Sequence, residues 1–165
     1  MSYKVTKDGA SKSKTRLAEE ANARFQTFED LKVYQSAREF RKTMYAVARR
    51  LPDFEKYGLS SQIRRAALSL TNNIAEGHGR FHYPDQIRFV LHSRGSLEEL
   101  GDDLNACLDE NYLSSEEVTK LKEQSGGVMI LVNGYLRYLR NRCSSVREPE
   151  GSYLEARDLL DGLAL

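Results

Sequence analysis

Residues 60–80 constrain this chain more than any other stretch. They read Ser-Ser-Gln-Ile-Arg-Arg-Ala-Ala-Leu-Ser-Leu-Thr-Asn-Asn-Ile-Ala-Glu-Gly-His-Gly-Arg. Wound at about 100° per residue, they align Ile63, Ala66, Ala67, Leu70 and Ile74 on one side of a helix, with Gly77 closing the stripe. An apolar stripe of that length has to be buried against other helices. About a third of a turn away, Gln62, Arg65, Ser69, Asn73 and Glu76 recur every three or four residues, on a second face. That face lacks the Lys and Glu mixture of an ordinary surface helix. Two readings stay open for it: a solvated face, or side chains that hydrogen-bond fixed partners in a structural or oligomeric network.

The rest of the chain agrees with an all-α domain. Its 165 residues suffice for one core but not two. Hydrophobic residues make up 40% and charged residues 30%, a balance that suits a soluble globular protein rather than a disordered or membrane one. Only three prolines occur, and no strand-like alternation runs for more than a few residues. No apolar run approaches the ~20 residues of a membrane span, and no secretory h-region opens the chain, so a cytoplasmic protein with no membrane partner is expected. Cys107 and Cys143 form neither a disulfide framework nor a metal motif, and Cys107 falls on an apolar helical stripe. Net charge is +1, yet residues 1–80 hold 16 Lys and Arg against 9 Asp and Glu, whereas residues 81–165 hold 9 against 15. A basic front and an acidic back fit either an anion-binding face or self-complementary surfaces in an oligomer.

Taken in order, residues 1–24 read as a flexible polar and basic tail, residues 25–142 as a bundle, and residues 143–165 as a loop and a short amphipathic helix. Helix 1 is expected from about residue 30 to Leu51, where Pro52 stops it. Its inner stripe is Leu31, Tyr34, Ala37, Phe40 or Arg41, Met44, Val47, Ala48 and Leu51, with Phe28 packed ahead of it. Its outer surface is basic: Arg38, Arg41, Lys42, Arg49 and Arg50. Ser60 or Ser61 is placed to cap helix 2, and Gly77 and Gly79 to end it in left-handed geometry.

Pro84 and Asp85 suit the start of helix 3, which Asn111 ends. Its core stripe is Ile87 or Val90, Phe89, Leu97, Leu100, Leu104, Cys107 and Leu108. Gly95 and Ser96 mark a close approach of another helix, and Glu99 is expected to receive Arg65. Residues 114–117 form a capping box for helix 4, whose inner face of Val118, Leu121, Val128, Met129, Val132, Leu136 and Leu139 runs to about Arg142. Gly126 and Gly127 predict a close approach or a bend. Tyr135, Arg137, Tyr138 and Arg140 mix aromatic and basic groups, as RNA-binding surfaces do and as tyrosines at the edge of a core also do. Ser152 and Glu155 resemble a further capping box, ahead of the apolar Tyr153, Leu154, Leu159, Leu160 and Leu163. Together these elements predict an up-down-up-down antiparallel four-helix bundle.

Several separated motifs carry a family resemblance. Gln62-Ile63-Arg64-Arg65-Ala66-Ala67, then Asn73-Ile74-Ala75-Glu76-Gly77 and Arg80, resemble the signature of the four-helix-bundle proteins encoded in 23S ribosomal RNA intervening sequences. The accessory variability protein of diversity-generating retroelements is of the same group. Phe28-Glu29-Asp30-Leu31-Lys32-Val33-Tyr34, Leu51-Pro52, Arg88-Phe89 and Gly95-Ser96-Leu97-Glu98-Glu99-Leu100 resemble further parts of that pattern, in the same order. The resemblance implies a homopentamer packed round an axis. It also implies association with RNA or with a reverse transcriptase, since the retroelement relative is a basic ring that engages both.

No Ser-His-Asp or Cys-His order, phosphate-cradling loop or Glu-x-x-His pair is present, so neither catalysis nor a cofactor is expected. His78 and His82 lack the companions of a metal site, and none is expected there. The expected function is a non-enzymatic oligomeric scaffold that binds structured RNA, with Arg38, Arg41, Lys42, Arg49, Arg64 and Arg80 as phosphate contacts. Gln62, Arg65, Ser69, Asn73, Glu76 and Glu99 form the expected polar network. The alternative is a protein–protein interaction ring with no nucleic-acid partner.

Overall fold

Apolar residues at every third or fourth position of residues 31–51 wind into helix α1, Lys32–Arg50. The computed structural model describes residues 27–145, so the expected tail and C-terminal amphipathic helix lie outside the described residues. Helix α2 spans Leu59–His78, α3 Tyr83–Asp109 and α4 Ser115–Ser145. Short 3-10 helices at Phe28–Asp30 and Asp53–Tyr57 precede α1 and α2. Among the described residues there is no strand. Each helix packs on its neighbour in sequence, and α4 closes back on α1. The connections, residues 51–58, 79–82 and 110–114, are too short to reverse twice, so successive helices run antiparallel. The expected up-down-up-down bundle is the observed fold.

The helical stripes meet in one core. Ile63, Ala67, Leu70 and Ile74 of α2 are completely buried, together with Met44 of α1, Val90, Leu100, Leu104 and Cys107 of α3, and Val132 of α4. Phe40, not Arg41, takes the inner position on α1, and Val90 rather than Ile87 takes it on α3. Val33, absent from the expected stripe, is buried as well. Phe28 packs edge-on against Tyr34 with ring centroids 4.8 Å apart, fixing how the chain enters α1. A capping box that the sequence reading overlooked supports that entry: Thr27 Oγ1 accepts from Glu29 N–H, and Asp30 accepts from Thr27 N–H. The expected box at α4 is present, with Ser114 Oγ accepting from the Glu117 amide while Glu117 accepts from the Ser114 amide.

Four local expectations are corrected. Neither Ser60 nor Ser61 caps α2. Ser60 is buried and donates to the Ala48 carbonyl, and the carboxylate of Glu55 accepts from Leu59 N–H in the place of a cap. Gly79 is right-handed (φ −76°), so it does not end α2 by left-handed geometry. Gly77 serves close approach instead: a Cβ there would lie 3.1 Å from Phe89 Cβ and 3.2 Å from the Gln86 carbonyl. The left-handed stop falls at Asn111 (φ 57°), just beyond α3. Gly95, Gly126 and Gly127 face open space, so no neighbouring helix of the protomer explains them, and α4 is continuous through its pair.

Candidate nucleic-acid interface

Every third or fourth residue along the outside of α1 is cationic or aromatic: Arg38, Arg41, Lys42, Tyr45 and Arg49. Helix α2 lies beside this stripe and turns Leu68 and Thr71 toward it. Between the two helices opens a cleft of about 420 Å3 lined by Arg41, Lys42, Tyr45, Arg49 and Leu68. The Arg41 guanidinium donates to Thr71 Oγ1 at 2.8 Å, and Thr71 in turn donates to the Leu68 carbonyl. One guanidinium is therefore held against the wall of the cleft, its remaining donors directed outward. Lys42 is paired with Glu39 at 2.6 Å on the solvated rim, where both side chains are more than half exposed. That pairing and the Arg38 guanidinium beside it hold the Glu39 carboxyl below its usual range, the Lys42 hydrogen bond being the larger influence. Arg49 is exposed, and Leu68 is 42% exposed although the other large aliphatic residues of its helix are buried or half-buried. The arrangement can neutralise anions and offers an aromatic and an aliphatic surface among the charges.

Three of the six expected phosphate contacts therefore share one cleft: Arg41, Lys42 and Arg49. Arg38 stands exposed one turn earlier on the same stripe. Arg64 donates to the Lys56 carbonyl near the Asp53–Tyr57 turn. Arg80 is at the far end of α2, paired with Glu76 and stacked 4.7 Å from the Phe89 ring, outside the cleft. Tyr45 and Leu68 were missed from the sequence. Their signals are visible in retrospect: Tyr45 continues the spacing of Arg38, Lys42 and Arg49, and Leu68 is a large apolar residue off the core stripe of its own helix.

The opposite flank of α2 faces α3 and has the reverse character. Ser96 Oγ donates to Ser69 Oγ at 2.8 Å, Asn73 Nδ2 donates to the Ser69 carbonyl and hydroxyl, and Ser93 donates to the Leu70 carbonyl. The bonds of Ser93 and Ser96 tie α3 to α2, whereas those of Asn73 stay within α2 and orient Ser69 at the seam. The remaining expected members stand apart from it. Arg65 is bound to Gln62 Oε1 through two guanidinium nitrogens and makes no ion pair with Glu99 of the same protomer, which corrects the expectation of that pair within one protomer. Glu76 holds Arg80. Arg65, Gln62 and Glu99 nevertheless meet in a second cleft, about 280 Å3, completed by Ala66, Asp102 and Asp103. Three carboxylates face one guanidinium there. Burial, then the Glu99 and Asp102 charges, push the Asp103 carboxyl up to about 6 against a partial opposing pull from Arg65.

Among the described residues no group of three or more His, Cys, Asp or Glu side chains could hold a metal ion. Burial pushes the Cys107 thiol up to about 11, which keeps it an unreactive core residue at neutral pH. No described helix is long and apolar enough to cross a membrane.

No curated protein sequence matches the chain. Among solved structures, a protein of unknown function from the S23 ribosomal protein family of Bacteroides thetaiotaomicron superposes with a TM-score of 0.60 at 20% identity, covering 64% of this chain and 95% of its own. At that identity the likeness speaks for the fold. The family model described as 23S rRNA-intervening sequence protein matches residues 29–134, from the turn that leads into α1 to beyond the middle of α4. The chain belongs to the 23S rRNA-intervening sequence protein family.

Proposed function

We propose that this protein is a non-enzymatic homo-oligomeric scaffold that binds structured RNA, alone or within an RNA–protein complex, through the α1–α2 cleft. The observation that carries the reading is the cleft itself, where Arg41, Lys42 and Arg49 surround Tyr45 and Leu68. Cations on one helical stripe release counterions when they meet a phosphate backbone, and an aromatic among them supplies a surface for bases. Arg38 extends the cationic row, while Arg64 and Arg80 are peripheral to it. The family resemblance supplies a reverse transcriptase as one candidate protein component of such a complex, and five as the subunit number.

Assembly has its own support on α4. Gly126, Gly127, Ile130, Gly134 and Tyr138 lie on the face opposite its buried stripe, where Ile130 is 73% exposed and the glycines have open space around them. Each mid-helix glycine costs about 1 kcal/mol relative to alanine. Small residues around an exposed isoleucine suit a closely approaching second copy, and that use would offset the cost.

A second reading, a protein–protein interaction ring without nucleic acid, is favoured by the carboxylate-rich α2–α3 cleft and the net charge of +1. One titration separates the two. Purified protein, sized by light scattering, is mixed with a fluorescent RNA hairpin at low and at physiological salt. The scaffold reading expects affinity to fall by orders of magnitude as salt rises, and to be lost in the Arg41→Glu, Lys42→Glu, Arg49→Glu triple variant. Absence of binding by the wild-type protein at low salt leaves the interaction ring.

A further inference from the structure

We propose that the α1–α2 cleft takes an unpaired nucleotide, so that the RNA it selects is single-stranded, or a loop or bulge of a folded RNA, rather than a regular duplex. The inference rests on the RNA reading above and concerns what lies between the cations rather than the cations themselves. A flat duplex-binding surface needs only positive groups at the spacing of the phosphates, because paired bases are stacked inside and out of reach. This cleft, about 420 Å3, is an open groove, and two of its five lining side chains are Tyr45 and Leu68. A groove of that kind can seat one face of a flat group while leaving its other face in water. Tyr45 is half-buried and packs against the core, so its ring is a fixed surface, not a swinging one. Leu68 is 42% exposed, an apolar surface left open on a helix that otherwise buries its large aliphatic residues.

The cations are set around this apolar patch. Arg41 is anchored to Thr71 on one wall, Lys42 follows it directly, and Arg49 stands about two turns along the same helix. An unstacked base would lie against Tyr45 and Leu68, with its own and its neighbour's phosphate reaching Arg41 and Arg49. Base stacking on an aromatic ring tolerates any base, so preference for unpaired over paired strands is expected without strong sequence preference. A duplex could satisfy the cations only by leaving the apolar patch wet.

The experiment compares a fluorescent 12-nucleotide single strand with a blunt 12-base-pair RNA duplex, both at low salt, on wild-type protein and on Tyr45→Ala, Tyr45→Phe and Leu68→Ser. Tyr45 contacts the core, so circular dichroism checks the fold of its variants, and the exposed Leu68 provides a second probe. The expected result is at least about tenfold tighter binding of the single strand, a loss of about tenfold in Tyr45→Ala, and retention in Tyr45→Phe, consistent with the stacking contribution of one base. Leu68→Ser weakens the single strand several-fold and leaves the duplex unchanged. Equal or tighter duplex binding, with Tyr45→Ala and Leu68→Ser neutral, overturns the unpaired-nucleotide inference and leaves the RNA scaffold standing. Failure of the wild-type protein to bind either RNA overturns both.

Discussion

Helix α2 has a cleft on each flank, and the two are opposites. On the α1 side, Arg41, Lys42 and Arg49 surround an aromatic and an aliphatic side chain; Lys42 is paired with Glu39 on the rim, while the bond of Arg41 to the neutral Thr71 leaves its positive charge uncompensated. On the α3 side, Glu99, Asp102 and Asp103 face Arg65, whose guanidinium is already engaged by Gln62. A net charge of +1 conceals this polarity, because it sums over faces that a partner meets separately. The α1 flank presents cationic, aromatic and aliphatic side chains at the surface. The α3 flank, with its serine and asparagine seam, is concerned first with holding two helices together.

Substitutions on the α3 flank should therefore register in stability and leave RNA affinity unchanged. The largest effect is expected at Gly77, where Phe89 and the Gln86 carbonyl crowd the space any side chain would occupy. Gly77→Val should lower unfolding free energy by about 2–3 kcal/mol, read by urea denaturation, since backbone sets one of the two contacts. A neutral result would mean that α2 and α3 can separate without penalty, and the seam would not be the rigid side of the molecule.

Next in size is Asp103. Its folded value of about 6 lies above the 3.8 of an ordinary aspartate, so the ionised form destabilises the fold. That destabilisation is absent below about pH 4, where the carboxyl is largely protonated folded and unfolded, grows as the pH rises toward 6, and is complete above it. Asp103→Asn should therefore raise stability by about 1–2 kcal/mol at pH 7.5 after allowance for solvent screening, with little change at pH 4. Thermal melts at the two pH values measure the difference. A pH-independent effect would show that neither burial nor the neighbouring carboxylates raise the Asp103 carboxyl.

The smallest effect is expected at Arg65, one member of the expected polar network, which is exposed and bonded to Gln62. Arg65→Ala should change protomer stability by less than about 0.5 kcal/mol, while raising the Asp103 titration further by removing its one opposing charge. A loss of several kcal/mol would restore Arg65 to a structural polar network within the protomer. A shift in oligomer size at unchanged protomer stability would instead turn the acidic cleft into an assembly surface.

Much of the core was legible because one physical rule governs it. Residues at intervals of three and four share a helical face, and water excludes the apolar ones, so the α2 stripe from Ile63 to Gly77 followed from spacing alone. Pro52 after α1 and the Ser114 box before α4 were equally local, each depending on groups within four residues. Where a residue's role depended on a different helix, spacing could not reach it. Ser60 met the Ala48 carbonyl across a turn instead of capping its own helix, and Arg65 took a neighbour on its own helix instead of Glu99 on the next. Gly79 looked like a left-handed terminator by type, yet the chain reversed through right-handed geometry and placed its positive φ at Asn111.

By itself, then, the amino-acid sequence determined the four helices of the bundle, most of their inner faces and the basic row on α1, all of which arise from periodicity within single helices. Only the tertiary structure decided which row members act together. Arg41, Lys42 and Arg49 became a cleft because α2 brought Leu68 and Thr71 alongside them, while Arg64 and Arg80, identical in chemistry, were directed elsewhere. Helix formation is a matter of neighbours in the chain. A cleft is a matter of how two helices lie against each other, which depends on the packing of the whole core.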